Sequence, residues 1–131
     1  MIVYVPGEAV PREHLVSLGR PDALGGRVIS GDPEISARVD FAGGDVTAGV
    51  FQATAGTIEV SFPFTEHATI LSGSVVITDG SGASHRYEPG DSYVIAEGAV
   101  VLWEVVSDFV QKSFLHVRGV RPVAAESAEH A

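Results

Sequence analysis

Short runs of alternating apolar and polar residues, cut by turn signals about every eight to twelve residues, constrain this chain more than any other feature. Ile35, Ala37, Val39 and Phe41 alternate with Ser36, Arg38 and Asp40, and Ile58, Val60, Phe62 and Phe64 alternate with Glu59, Ser61 and Pro63. A period of two belongs to a strand with one buried face. Gly43-Gly44-Asp45, Ala55-Gly56, Asp79-Gly80-Ser81-Gly82, Pro89-Gly90-Asp91, Glu97-Gly98 and Ser107-Asp108 separate the runs, and the last strand is expected over Val110 to Val117. Glycine allows the positive φ that tight hairpins need. About nine short strands with no βαβ alternation predict an all-β sandwich or barrel. Ile2 to Val5 is a further short strand candidate, suited to edge or partner pairing. Glu8 to Gly19 carries the only modest helical signal, kept short by Pro6, Pro11 and Pro21.

A chain of 131 residues makes one domain with a real core. The domain is expected over 1–118, its core over 35–117, with a loose, aperiodic tail over 119–131. The net charge of −9 argues against nucleic acid and against anionic membrane surfaces, which need clustered Lys and Arg. The absence of cysteine excludes disulfides, thiolate metal sites and a Cys nucleophile. The N-terminus shows no signal-peptide pattern and no run reaches the length of a membrane span, so a soluble, cytoplasmic protein is expected. No glycine-rich loop precedes a helix and no GxSxG elbow is present.

The sharpest candidate is Glu66. If the period of Ile58, Val60, Phe62 and Phe64 continues, Glu66 shares their inward face. A carboxylate in an apolar interior is either a general acid or base with a raised pKa, or a structural acceptor held by backbone N–H groups or an arginine. Arg38 is the candidate internal cation. Phe51, Val60, Phe62, Phe64, Val101 and Trp103 are candidate substrate-binding walls, although Trp103 is also explained by plain core packing. Tyr93 offers a hydroxyl to a ligand or packs at the rim. His116 shares parity with Phe114 and can reach the interior, whereas His67 follows Glu66 and points to the opposite face. His14, His67, His85, His116 and His130 show no metal-ligand spacing to one another.

The glycine turns also match a known pattern. Glu66, six residues and Gly73 match the second half of the first cupin motif; Gly90, five residues and Ala96-Glu97-Gly98 match the first half of the second. With Gly49-Val50-Phe51, Phe62-Pro63-Phe64-Thr65-Glu66, Leu71-Ser72-Gly73, Pro89-Gly90-Asp91 and Trp103-Glu104-Val105, the stretch from about 35 to 117 resembles the cupins that include ureidoglycine aminohydrolase and an ethanolamine-utilisation protein. The resemblance implies a double-stranded β-helix, or jelly-roll barrel, and a homodimer paired through sheet edges or exchanged N-terminal strands. It also locates departures. The motif histidines fall on Val60 and Phe62, or on Glu59 and Ser61, and the later histidine and asparagine fall on Val101 and Val105. One carboxylate does not hold a divalent ion, so a site without metal or cofactor is expected. Three functions follow as expectations: acid/base chemistry on a small organic molecule through Glu66, small-molecule binding or sensing without chemistry, and a metal-dependent aminohydrolase using Glu59, Glu66 and an unexpected histidine.

Overall fold

The computed structural model describes residues 1–123. Nine antiparallel strands form one continuous sheet: β1 (Val16–Gly19), β2 (Arg27–Gly31), β3 (Ile35–Gly43), β4 (Val46–Ser61), β5 (Thr65–Ser72), β6 (Val75–Thr78), β7 (Ser84–Tyr87), β8 (Ser92–Ile95) and β9 (Val100–Val117). The strands close into an all-β jelly-roll barrel, as the resemblance to cupins implies. Among the described residues no helix is long and apolar enough to cross a membrane.

The two long strands make the barrel. The first half of β4 pairs with β3 and with the second half of β9, whose other edge pairs with β5 and through it β8. The second half of β4 pairs with β2 and with the first half of β9, which continues to β6 and β7. Each long strand thus belongs to two walls. The register between them shifts once, between Thr54 and Gly56. That bulge supplies the bend that carries one sheet from wall to wall.

Several expectations change here. Ala55-Gly56 and Ser107-Asp108 are not hairpin turns but lie within β4 and β9, because pairing continues on both sides of them. The period from Ile58 does not run on to Glu66: the chain leaves β4 after Ser61, and Phe62 to Phe64 form a corner, with Phe62 bonded through its N–H to Ala99 and through its carbonyl to Gly98. Ile2 to Val5 is not a strand; Tyr4 donates its hydroxyl to Asp40, and Gly7 and Val10 fasten the segment to Leu71 and Gln111. The helical signal shrinks to a 3₁₀ turn over Arg12–His14, after which Val16–Gly19 pairs with β3. Pro11 precedes that turn and Leu15 leaves it extended, so no second turn forms. Of the tail, 119–123 lie past the last strand and 124–131 fall outside the described residues.

The core lies between the walls and gathers Ile35, Ile58, Phe62, Ile70, Val75, Ile77, Trp103, Val110 and Phe114. Glycine is required where backbones meet. At Gly73 φ is +79°, and a Cβ would stand 2.0 Å from the Phe109 carbonyl oxygen. Gly49 is equally tight against the Arg38 carbonyl.

Candidate functional site

Glu66 arrives inside the barrel through the alternation of β5 itself. Glu66, Ala68 and Ile70 are buried, and His67 between them is exposed. On β9 the inward set is Val110, Lys112, Phe114 and His116. The registers Glu66 to His116, Ala68 to Phe114, Ala68 to Tyr93 and Ile70 to Lys112 bring three strands together around one carboxylate. Ala68 carries only a methyl group, which leaves the lateral room through which Tyr93 and Lys112 reach Glu66.

The carboxylate is 2% exposed and has three side-chain partners. Tyr93 donates its hydroxyl to Oε1 at 2.6 Å, and Lys112 donates Nζ to the same oxygen at 2.7 Å. Lys112 also donates to the Tyr93 oxygen at 3.0 Å. Oε2 lies 2.6 Å from His116 Nε2. Burial pushes the Glu66 carboxyl up, but the Lys112 charge and the hydrogen bonds from His116, Lys112 and Tyr93 together outweigh it and hold the pKa down at about 2. Of the two readings of Glu66, the direction is opposite to the raised pKa of the first, because the surroundings are not purely apolar: a cation stands in them, a lysine rather than the backbone groups or arginine of the second. A carboxylate only accepts, so Nε2 of His116 carries the proton in this bond, and Nδ1 has no partner among the described residues. Burial, then the Glu66 charge and hydrogen bond, push the Tyr93 hydroxyl well above its ordinary pKa.

Aromatic rings enclose the cluster. The Lys112 ammonium lies 4.8 Å from the ring centre of Trp103, 4.9 Å from that of Phe51 and 5.7 Å from that of Tyr93. His116 is stacked between Phe64 at 3.6 Å and Phe114 at 4.2 Å. The corner at Phe62 to Phe64 thus gives the imidazole its lid, and Phe62 meets Phe64 edge-on. A cavity of about 290 Å³ opens beside the cluster, between Ile77, Tyr87, Tyr93, Ile95 and Val101, with Asp79 and His85 also in its lining.

Of the candidate residues, Glu66, Tyr93, His116, Phe64, Phe51 and Trp103 meet at this cluster. Val101 lines the cavity, and Val60 is half-buried against the core. Arg38 lies elsewhere: its guanidinium is bonded to Asp40 at 2.8 Å, and the same carboxylate binds Tyr4. Lys112 is the residue that sequence reasoning missed. The signal was present, because Lys112 shares parity with Val110, Phe114 and His116 in an apolar run, and a lysine on an inward face needs a partner. His130 lies outside the described residues.

The residues do not fit a bound divalent metal. Among the described residues no three His, Cys, Asp or Glu side chains converge. The Lys112 ammonium also holds the carboxylate oxygen that an ion would need, and two cations repel at that distance.

Comparison with known proteins agrees with the fold. Residues 41–114, more than half of the chain, match the family described as the EutQ-like cupin domain. The Clostridium difficile EutQ protein superposes with a TM-score of 0.62 at 12% identity, over 84% of this chain and 80% of that one. A protein of unknown function from Pseudomonas syringae pv. tomato gives 0.70 at 22% identity, over 86% of this chain but 46% of that one. A putative ethanolamine utilization protein Q from Salmonella typhimurium gives 0.57 at 14% identity, over 66% and 72%. These likenesses carry the fold alone. No curated protein matches the chain.

Proposed function

Since this chain belongs to the EutQ-like cupin domain family, a premise about fold that leaves the chemistry open, we propose that its barrel takes up a small organic molecule and acts on it by metal-independent acid/base chemistry at the Glu66 cluster. The supporting observation is the single carboxylate shared by Lys112, Tyr93 and His116 within 2.7 Å. Titratable groups shifted by burial together with a specific charge partner cluster at acid/base sites, although structural ion-pair networks share that signature.

In this reading the roles are divided. A carboxyl held at about 2 is a weak base near neutrality, so Glu66 does not itself take the substrate proton. It fixes the His116 ring through Nε2 and leaves Nδ1 without a partner among the described residues, and proton exchange with the substrate falls, in this reading, to that imidazole, 19% exposed. Lys112 balances the buried charge, and Tyr93 joins the cluster to the cavity wall. The reaction class is proton transfer: isomerisation, elimination, cyclisation or hydrolysis.

The test is turnover, followed by NMR, of a panel of small carbonyl compounds, amides and lactones by the wild-type chain and by His116→Gln and Glu66→Gln. We expect a turned-over compound whose rate falls at least about 100-fold in His116→Gln, the usual size of general acid–base catalysis. Turnover unchanged in both variants would sink the reading. A second reading, binding without chemistry, is favoured by how closed the cluster is, with Glu66 2% and Lys112 7% exposed in their side chains. Saturable binding with no turnover across the panel would select it.

A further inference from the structure

The cavity beside the cluster has a graded lining. Ile77, Tyr93, Ile95 and Val101 at its floor are buried, whereas Asp79, Ser84 and His85 at its mouth are exposed. Tyr87 stands between the two zones: its ring meets His85 edge-on at 4.6 Å and Tyr93 at 5.2 Å. The floor offers apolar surface, and the volume of about 290 Å³ lies at the small end of ligand sites, which suits a single-ring molecule.

The mouth is acidic. Asp79 Oδ1 accepts from the Ser81 N–H at 2.9 Å, the Ser81 hydroxyl at 2.6 Å and the Ala83 N–H at 3.2 Å, which holds the turn between β6 and β7. Its Oδ2 has no partner among the described residues. The hydrogen bonds from Ser81 hold the Asp79 carboxyl below its ordinary range, so it is charged near neutrality. No Lys or Arg lines the cavity. Arg86, between His85 and Tyr87 in β7, is bonded to Glu88, and Lys112 is bonded to Glu66. The Ser84 hydroxyl is taken by Thr78, whereas the His85 ring nitrogens have no partner among the described residues.

These features select the charge of an occupant. An anion at the mouth would face Asp79 in a chain of net charge −9, with no lining cation to offset the repulsion. A cation there gains the free oxygen of Asp79, the acceptor nitrogen of a neutral imidazole and the aromatic rings of the series. At the exposed end it keeps part of its hydration, while an apolar remainder reaches the buried floor. Resting on the reading of the barrel interior as a small-molecule site, we infer that the cavity binds a small amphipathic amine, its apolar ring against Ile77, Ile95 and Val101 and its ammonium at the mouth, paired with Asp79.

The probes are benzylamine, benzyl alcohol, which has the same shape without the charge, and benzoate. They are titrated at about pH 8, where the amine is charged and an ordinary imidazole is neutral, and followed by NMR of the Ile77, Ile95 and Val101 methyl groups. The expected result is a saturable shift of those signals with benzylamine and an affinity about ten-fold tighter than for benzyl alcohol, the ratio set by one exposed ion pair and one cation–π contact. Benzoate is expected to bind more weakly than the alcohol. Asp79→Asn keeps the turn acceptor and removes the charge, and the preference for the amine falls to about three-fold. Glu104→Gln, on the exposed face of β9, removes the same formal charge and leaves the preference unchanged. Methyl signals unmoved by benzylamine, equal affinity for the alcohol, tighter binding of benzoate, a preference that survives Asp79→Asn, or one that falls equally in Glu104→Gln would each overturn the inference. The wild-type titrations decide the charge preference even if Asp79→Asn does not fold. Amine binding with no turnover across the carbonyl, amide and lactone panel would leave this inference standing while removing the catalytic reading, and turnover dependent on His116 with benzylamine unbound would do the reverse.

Discussion

The two halves of β9 obey different rules. From Val100 to Val106 the strand alternates without exception: Val101, Trp103 and Val105 are buried, and Val100, Leu102, Glu104 and Val106 are exposed. From Val110 to Val117 polar groups enter on both faces. Lys112 and His116 point inward to Glu66, and on the other face buried Gln111 binds Gln52 and both backbone groups of Val10. One strand thus builds a packed core at one end and a charged cluster at the other. Sheets tolerate an inward charge only where its partners are supplied, and the partners here come from β5, β8 and β9 itself. The site is therefore the place where the alternation rule is broken with compensation.

Removing the compensation is the most severe way to test that contrast. Lys112→Ala leaves Glu66 buried beside only neutral or titratable partners and is expected to cost about 3 kcal/mol or more, read as a large fall in the urea midpoint. The paired variant Glu66→Gln with Lys112→Met removes both charges, and is expected to recover most of that loss. If Lys112→Ala alone is neutral, the second half of β9 is no different from the first.

Acid is a gentler probe of the same pair. Glu66 has its carboxyl at about 2 in the folded chain against an ordinary 4.5. Its contribution to stability is present in full above 4.5 and is lost as pH falls from 4.5 toward 2. Urea midpoints measured across that window should drop in the wild-type chain, and the drop should be shallower in Glu66→Gln. Parallel curves would contradict the coupling.

The first half of β9 should respond as ordinary core and surface. Val105→Ala removes two buried carbons and is expected to cost about 2 kcal/mol. Leu102→Ala, on the exposed face of the same segment, should stay within about 0.5 kcal/mol. A thermal melt of the two variants checks both, and equal effects would mean that the alternation does not report burial.

The amino-acid sequence was most informative where local physics governs. The run Val100 to Val106 keeps Val101, Trp103 and Val105 buried on one face, because side chains in a strand alternate, whereas in Ile35 to Phe41 only the Ile35 end of the expected apolar face is buried and Val39 and Phe41 are exposed. Turn chemistry placed most strand ends for the same reason, and the glycine and motif spacings identified the cupin barrel. The bulged bends at Ala55-Gly56 and Ser107-Asp108 were hidden, since a turn and a bulge use the same small and polar residues. Glu66 was visible as an inward carboxylate, but its charge state was not, because that depends on a lysine 46 positions later. Parity with Phe114 gave His116 its inward face, whereas Glu66 owes its inward face to the alternation of β5 rather than to the run from Ile58, and Lys112 was passed over. Only the register of β5 against β8 and β9 decided that Glu66, Tyr93, Lys112 and His116 meet, since hydrogen bonding between distant strands brings residues into contact that no local pattern relates.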